Sequence, residues 1–130
     1  MPSAAEPQPL DVILDVVFER GLLFLALTNL GREPALAVSC AFDKPVRGLG
    51  GTTEVSALRL FRKVELLAPG REIRTLLDTS AAYFARREPT LIRATVTWRT
   101  PAGAKREARI VHDLSIYRDL AYVTEGAADA

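Results

Sequence analysis

Apolar residues recur at every second position in one short run after another, and no other pattern limits the folding of this chain as strongly. Leu10, Val12, Leu14, Val16 and Phe18 form one such series, Leu23, Leu25 and Leu27 a second, and Leu36, Val38, Cys40 and Phe42 a third. Successive side chains of a strand point to opposite faces, so each series reads as the core face of a half-buried strand. A less regular stretch, SALRLFRKVELL, predicts a helical turn followed by a short strand. The turn APGR opens another strand, EIRTLLD. SAAYFARREPT reads as a helical turn or loop, and two long strands follow, Leu91 to Thr100 and Lys105 to Leu114. About seven short strands with turn signals between them predict an all-β, immunoglobulin-like two-sheet antiparallel sandwich.

Two hairpin registers extend this reading. A two-residue turn, Arg20-Gly21, pairs Phe18 with Leu23, Val16 with Leu25 and Leu14 with Leu27, so every inward pair is apolar. For the last hairpin, a five-residue loop PAGAK pairs Trp98 with Ala108, Val96 with Ile110, Ala94 with His112 and Ile92 with Leu114. The same register sets Arg99 beside Glu107 and Arg93 beside Asp113, two opposite-charge pairs of the kind that favour a register.

Length and composition set further bounds. One domain accounts for 130 residues, and a chain of this size buries enough surface to need neither disulfide nor metal. Residues 1–9, rich in Pro and Ala, read as a flexible arm, residues 10–123 as the sandwich, and residues 124–130 as a flexible tail. The single cysteine, Cys40, excludes an intramolecular disulfide, and the single histidine, His112, excludes a His-rich metal site. No cofactor motif is present. Seventeen basic residues, 14 of them Arg, balance 16 acidic ones, which leaves no general field for nucleic acid or an anionic membrane. Neither a secretory signal nor a transmembrane span is legible, so a soluble, by default cytoplasmic, protein is expected.

The turn motifs carry a resemblance. Asn29, Gly31, Pro34 and Ala35 form an N-x-G-x-x-P-A pattern, and Leu67-Ala68-Pro69-Gly70 forms an L-A-P-G turn further on. Both resemble elements of bacterial Ig-like modules of the CARDB and NEW3 kind, over about the middle half of the chain. The resemblance implies a seven-stranded sandwich used in adhesion, as a spacer, or as an accessory beside catalytic domains. It implies no functional residue.

Candidate chemistry is sparse. His112 and Asp113 are adjacent on a strand and point to opposite faces, so they form no dyad; His112 reads as an inward structural residue and Asp113 as outward near Arg93. Cys40 is inward on its strand and reads as a small hydrophobe. Gly48 to Gly51, GLGG, lacks the GK[ST] ending of a phosphate loop and reads as a bend between sheets. Arg86 and Arg87, beside Tyr83 and Phe84, are candidate anion contacts, although Glu and Asp are interspersed through the region.

The outer face of the first hairpin departs from the rule that such a face is polar. The register that buries Leu14, Val16 and Phe18 turns Ile13, Val17, Leu22 and Phe24 outward, with Asp11, Asp15 and Glu19 around them. The apolar C-terminal residues Ile116, Tyr117, Leu120, Tyr122 and Val123 offer one cover for that face; another protein, or a second copy, offers the other. The expected function is a non-enzymatic protein-binding or assembly module. Alternatives are a small-anion or nucleic-acid binder through the Arg-rich surface and, more remotely, an enzyme around His112, Asp113 and the tyrosines.

Overall fold

The structure is a computed structural model that describes residues 10–120. The arm at 1–9, the tail at 124–130, and Tyr122 and Val123 lie outside the described residues. Strands β1 (Val12–Glu19), β2 (Leu22–Asn29), β3 (Ala35–Phe42), β4 (Arg47–Gly48), β5 (Thr53–Glu54), β6 (Val64–Leu67), β7 (Glu72–Thr79), β8 (Leu91–Arg99) and β9 (Lys105–Asp113) alternate with two short helices, α1 (Arg59–Arg62) and α2 (Ser80–Ala85). Three strands form one sheet in the order β1-β2-β7, and four form the other in the order β6-β3-β8-β9; β4 and β5 make a small separate ribbon. All pairings are antiparallel. The two larger sheets give the seven-stranded sandwich, with β6 paired to β3 instead of lying beside β7. Among the described residues no helix is long and apolar enough to cross a membrane.

The core lies where the inner faces meet. Leu14, Leu25 and Leu27 from one sheet oppose Val38, Ile92, Val96 and Trp98 from the other. Phe61 of α1 and Tyr83 of α2 are buried in the same cluster, and Phe61 meets Phe42 edge-to-face at 5.1 Å between centroids. The four residues of α1 are too few to stand alone in water, so this packing holds the turn. Thr79 caps α2 by accepting from the Ala82 N–H at 3.1 Å.

The first hairpin has the expected register, Phe18 opposite Leu23, Val16 opposite Leu25 and Leu14 opposite Leu27. Arg20 and Gly21 both have positive φ, 49° and 78°, which a tight two-residue hairpin turn requires. The last hairpin differs from expectation by two residues. Trp98 lies opposite Arg106, Val96 opposite Ala108, Ala94 opposite Ile110 and Ile92 opposite His112. The turn decides this: Thr100 N–H donates to the Ala104 carbonyl at 2.8 Å, leaving a three-residue loop in which Gly103 takes φ 91°. A glycine at positive φ closes such a loop without strain, and that outweighs two exposed charge pairs. Arg99–Glu107 and Arg93–Asp113 therefore do not form; Glu107 pairs along its own strand with Arg109 at 3.1 Å. A shift of two preserves the faces, so the core assignment survives.

On β3 a bulge corrects a second expectation. The register against β8 shifts between Leu36 and Ser39, and Ala37 has φ 50°. The bulge resets the alternation, so Ala35 is buried while Leu36 leaves the core; Val38 and Cys40 are buried as expected.

The arch from β2 to β3 is organised by Asn29, only 1% exposed. Its Nδ2 donates to the carbonyls of Glu33 and Leu67, both at 2.9 Å, and its Oδ1 accepts from Gly31 N–H at 2.9 Å. Its backbone carbonyl accepts from Gly70 N–H at 2.8 Å. The two turn motifs, distant in sequence, are thus one hydrogen-bonded unit.

Candidate functional site

On the outer face of the β1-β2-β7 sheet, antiparallel pairing lines up Val17, Phe24 and Leu76 across the three strands. Ile13, Val17, Leu22 and Phe24 are each half-buried, and Leu76 is exposed. Leu76 had no counterpart in the sequence reading, because the register against β2 shifts beside Leu77 and breaks the alternation of β7. Arg74 lies diagonally over the row. Its Cζ is 5.2 Å from the Phe24 ring centroid, its Nε is 2.7 Å from Glu72 Oε2, and one terminal nitrogen is 3.3 Å from Glu19 Oε1. One guanidinium thus spans from β7 to β1 above an aromatic face, an arrangement the ring quadrupole favours. The hydrogen bonds it donates to the Glu72 and Glu19 carboxylates raise its already high pKa. Asp15 and Glu19 on β1 and Glu72 on β7 make the surroundings acidic.

The C-terminal segment reaches only the margin of this face. Tyr117 stacks on Phe18 at 5.4 Å, and its phenol is pushed up by burial and by the nearby Asp15 carboxylate. Ile116 and Leu120 are exposed. Within the described residues the segment therefore leaves the apolar row uncovered.

The two candidate anion contacts separate. Arg86 turns inward, with one terminal nitrogen 2.8 Å from Asp78 Oδ2 and its Nε 3.1 Å from Glu88 Oε2. It also donates to the carbonyls of Ala82 and Arg47. Asp78 is 5% exposed; burial alone would raise its carboxyl, but hydrogen bonds from Arg86, Gly50 N–H and Thr79 N–H outweigh burial and hold it below the ordinary carboxylate value. The arrangement is a clasp that fastens the β4–β5 loop to β7 and α2, so Arg86 is spent on folding; Arg87 is exposed beside it. Glu88 is two residues away in sequence, but nothing local shows that the fold brings Asp78 of β7 to the same guanidinium.

The glycine-rich loop belongs to the same clasp. A Cβ on Gly48 would sit 1.9 Å from the Leu77 carbonyl oxygen, so only glycine fits there. The Gly50 N–H that a phosphate loop would aim at an anion donates instead to Asp78 at 3.1 Å.

His112 reaches across the sandwich, its Nε2 2.7 Å from the Leu14 carbonyl on β1. A carbonyl only accepts, so the ring donates there and ties the two edge strands β1 and β9 together. Asp113 is not beside Arg93; its carboxylate accepts from Ser115 N–H and Oγ at 2.9 and 2.6 Å and caps the turn Leu114–Tyr117. Cys40 is buried, and burial pushes its thiol up to about 12, which leaves almost no thiolate at neutral pH. Among the described residues no group of three His, Cys, Asp or Glu side chains is placed to hold a metal.

A second surface had no counterpart in the sequence reading. On the outer face of β6-β3-β8-β9, two open depressions of about 630 and 610 Å³ both include Glu107 in their lining. Arg99, Lys105 and Arg106 line the first, Arg93 and Arg109 the second. The hidden signal was the correct hairpin register, which removes Glu107 from Arg99 and Asp113 from Arg93.

A family described as a domain of unknown function, DUF8453, matches residues 3–118. The chain belongs to the DUF8453 family. The match covers every strand of the DUF8453 sandwich described above. No curated protein and no solved structure matches the chain.

Proposed function

We propose that this DUF8453 chain is a non-enzymatic protein-binding module that contacts its partner through the outer face of the β1-β2-β7 sheet. The supporting observation is the row Val17–Phe24–Leu76, flanked by Ile13 and Leu22, on a face that a sandwich ordinarily gives to polar residues. Asp15, Glu19 and Glu72 around it favour a partner surface that is apolar at its centre and basic at its margin, with Arg74 free to exchange Glu19 for a partner carboxylate. The resemblance to CARDB and NEW3 modules, with their adhesive, spacer and accessory roles, agrees with this reading.

The test is affinity capture from the source cell with wild type and Phe24→Asp side by side. Wild type should retain a protein that Phe24→Asp loses, while the two thermal midpoints stay within a few degrees. Equal capture by both would refute the role of this face.

A further inference from the structure

We propose that the outer face of the four-stranded sheet binds an extended acidic polypeptide segment. The two depressions follow one another along β8 and β9 as a trough, with Glu107 standing where they meet. Its floor is built from small and hydroxylic side chains, Ala37 and Ala41 of β3 with Thr95 and Thr97 of β8. Ser39 lies between the two alanines and bonds Thr97 at 2.7 Å, which satisfies the hydroxyls midway along the floor. Long side chains stand along β9 at alternate positions.

The charge of this trough is far from the balance of the whole chain. Four cations stand on this face, Arg93, Arg99, Lys105 and Arg109, against two carboxylates, Glu107 and Asp43; Arg106, opposite the inward Trp98, lies on the other side of its strand. Arg109 is the cation paired with Glu107. Among the described residues Arg93, Arg99 and Lys105 have no carboxylate within ion-pair distance. Such a cluster repels itself and is relieved by an anionic ligand. At its far end the face turns partly apolar, with Leu91 and Val111 exposed.

Geometry selects a polypeptide over other polyanions. Same-face residues of a strand repeat about every 6.8 Å, so Lys105 and Arg109, four residues apart on β9, match acidic side chains four positions apart on an extended peptide laid along the trough. The two aromatic residues in the lining, Trp98 and Phe42, are core residues facing inward, and no exposed ring offers a base a stacking platform. Ala37, in a positive-φ conformation on the floor, adds the local backbone strain that gathers at binding surfaces.

Fluorescence anisotropy decides the matter, with a labelled ten-residue peptide of alternating Glu and Ser, ten-residue inorganic polyphosphate, and a ten-nucleotide oligothymidylate as probes. The peptide should bind wild type at low salt and weaken as salt rises toward 0.15 M. R99E/K105E should bind it at least tenfold more weakly, with a thermal midpoint within a few degrees of wild type, because neither side chain is in an ion pair and Arg99 makes only a long, exposed bond to the Gly103 carbonyl. Phe24→Asp, which alters the opposite sheet, should bind the peptide as wild type does. If R99E/K105E unfolds, Lys105→Gln carries the comparison with an expected weakening of about threefold. Three outcomes overturn the proposal: no peptide binding at low salt, tighter binding of polyphosphate or oligothymidylate, or affinity indifferent to charge reversal at the trough.

Discussion

Asn29 uses both ends of one amide on three backbone partners, of which the Leu67 carbonyl is buried and reached by no other side chain. Asn29→Asp keeps the shape and the acceptor for Gly31 but aims a carboxylate oxygen at the carbonyls of Glu33 and Leu67. The buried donor is lost and a buried charge gained, so the variant should lose about 3 kcal/mol in urea unfolding. A loss below about 1 kcal/mol would mean that the arch rearranges instead. Alternation alone assigned Cys40 to the core, and local turn chemistry alone identified Asn29 as a turn residue. The bond from Asn29 to Leu67 spans 38 positions and leaves no local trace in the sequence. The Asp78 partner of Arg86 is illegible for the same reason, since a run of arginines does not show which distant carboxylate the fold brings to it.

At the scale of elements, the β1–β2 hairpin was legible throughout because its apolar residues lie on both strands and permit one register. The β8–β9 hairpin was legible only as to its faces. Its outer face is mostly polar, so several registers an even number of residues apart bury the same side chains, and the turn makes the choice. Gly103, at φ 91° with open space around the position of a Cβ, is therefore strained by any side chain without being blocked. Gly103→Ala should lose about 1 kcal/mol by urea unfolding. An unchanged midpoint would show that the loop adopts another closure. The bulge at Ala37 was invisible for a related reason, because Ala carries no turn signal.

For the whole molecule, an end of the sandwich is closed by the clasp of Asp78, Arg86 and Glu88 and an edge by His112. The Asp78 carboxyl is held below its ordinary value in the fold, so it contributes stability above the unfolded carboxyl pKa of about 4, and that contribution disappears as pH falls through the lower folded value. The thermal midpoint should drop over that acid range, and the drop should be smaller in Asp78→Asn, which no longer titrates there. An identical acid profile in the two proteins would place the sensitivity elsewhere.

The sheets pack back to back, about 10 Å apart, and so their outer faces look in opposite directions. A molecule on the apolar row and another on the basic trough would be insulated from each other by the full thickness of a rigid core. Neither could crowd or displace the other. If both proposed faces were occupied, the chain would act as a rivet: it would hold two different things apart without letting them meet.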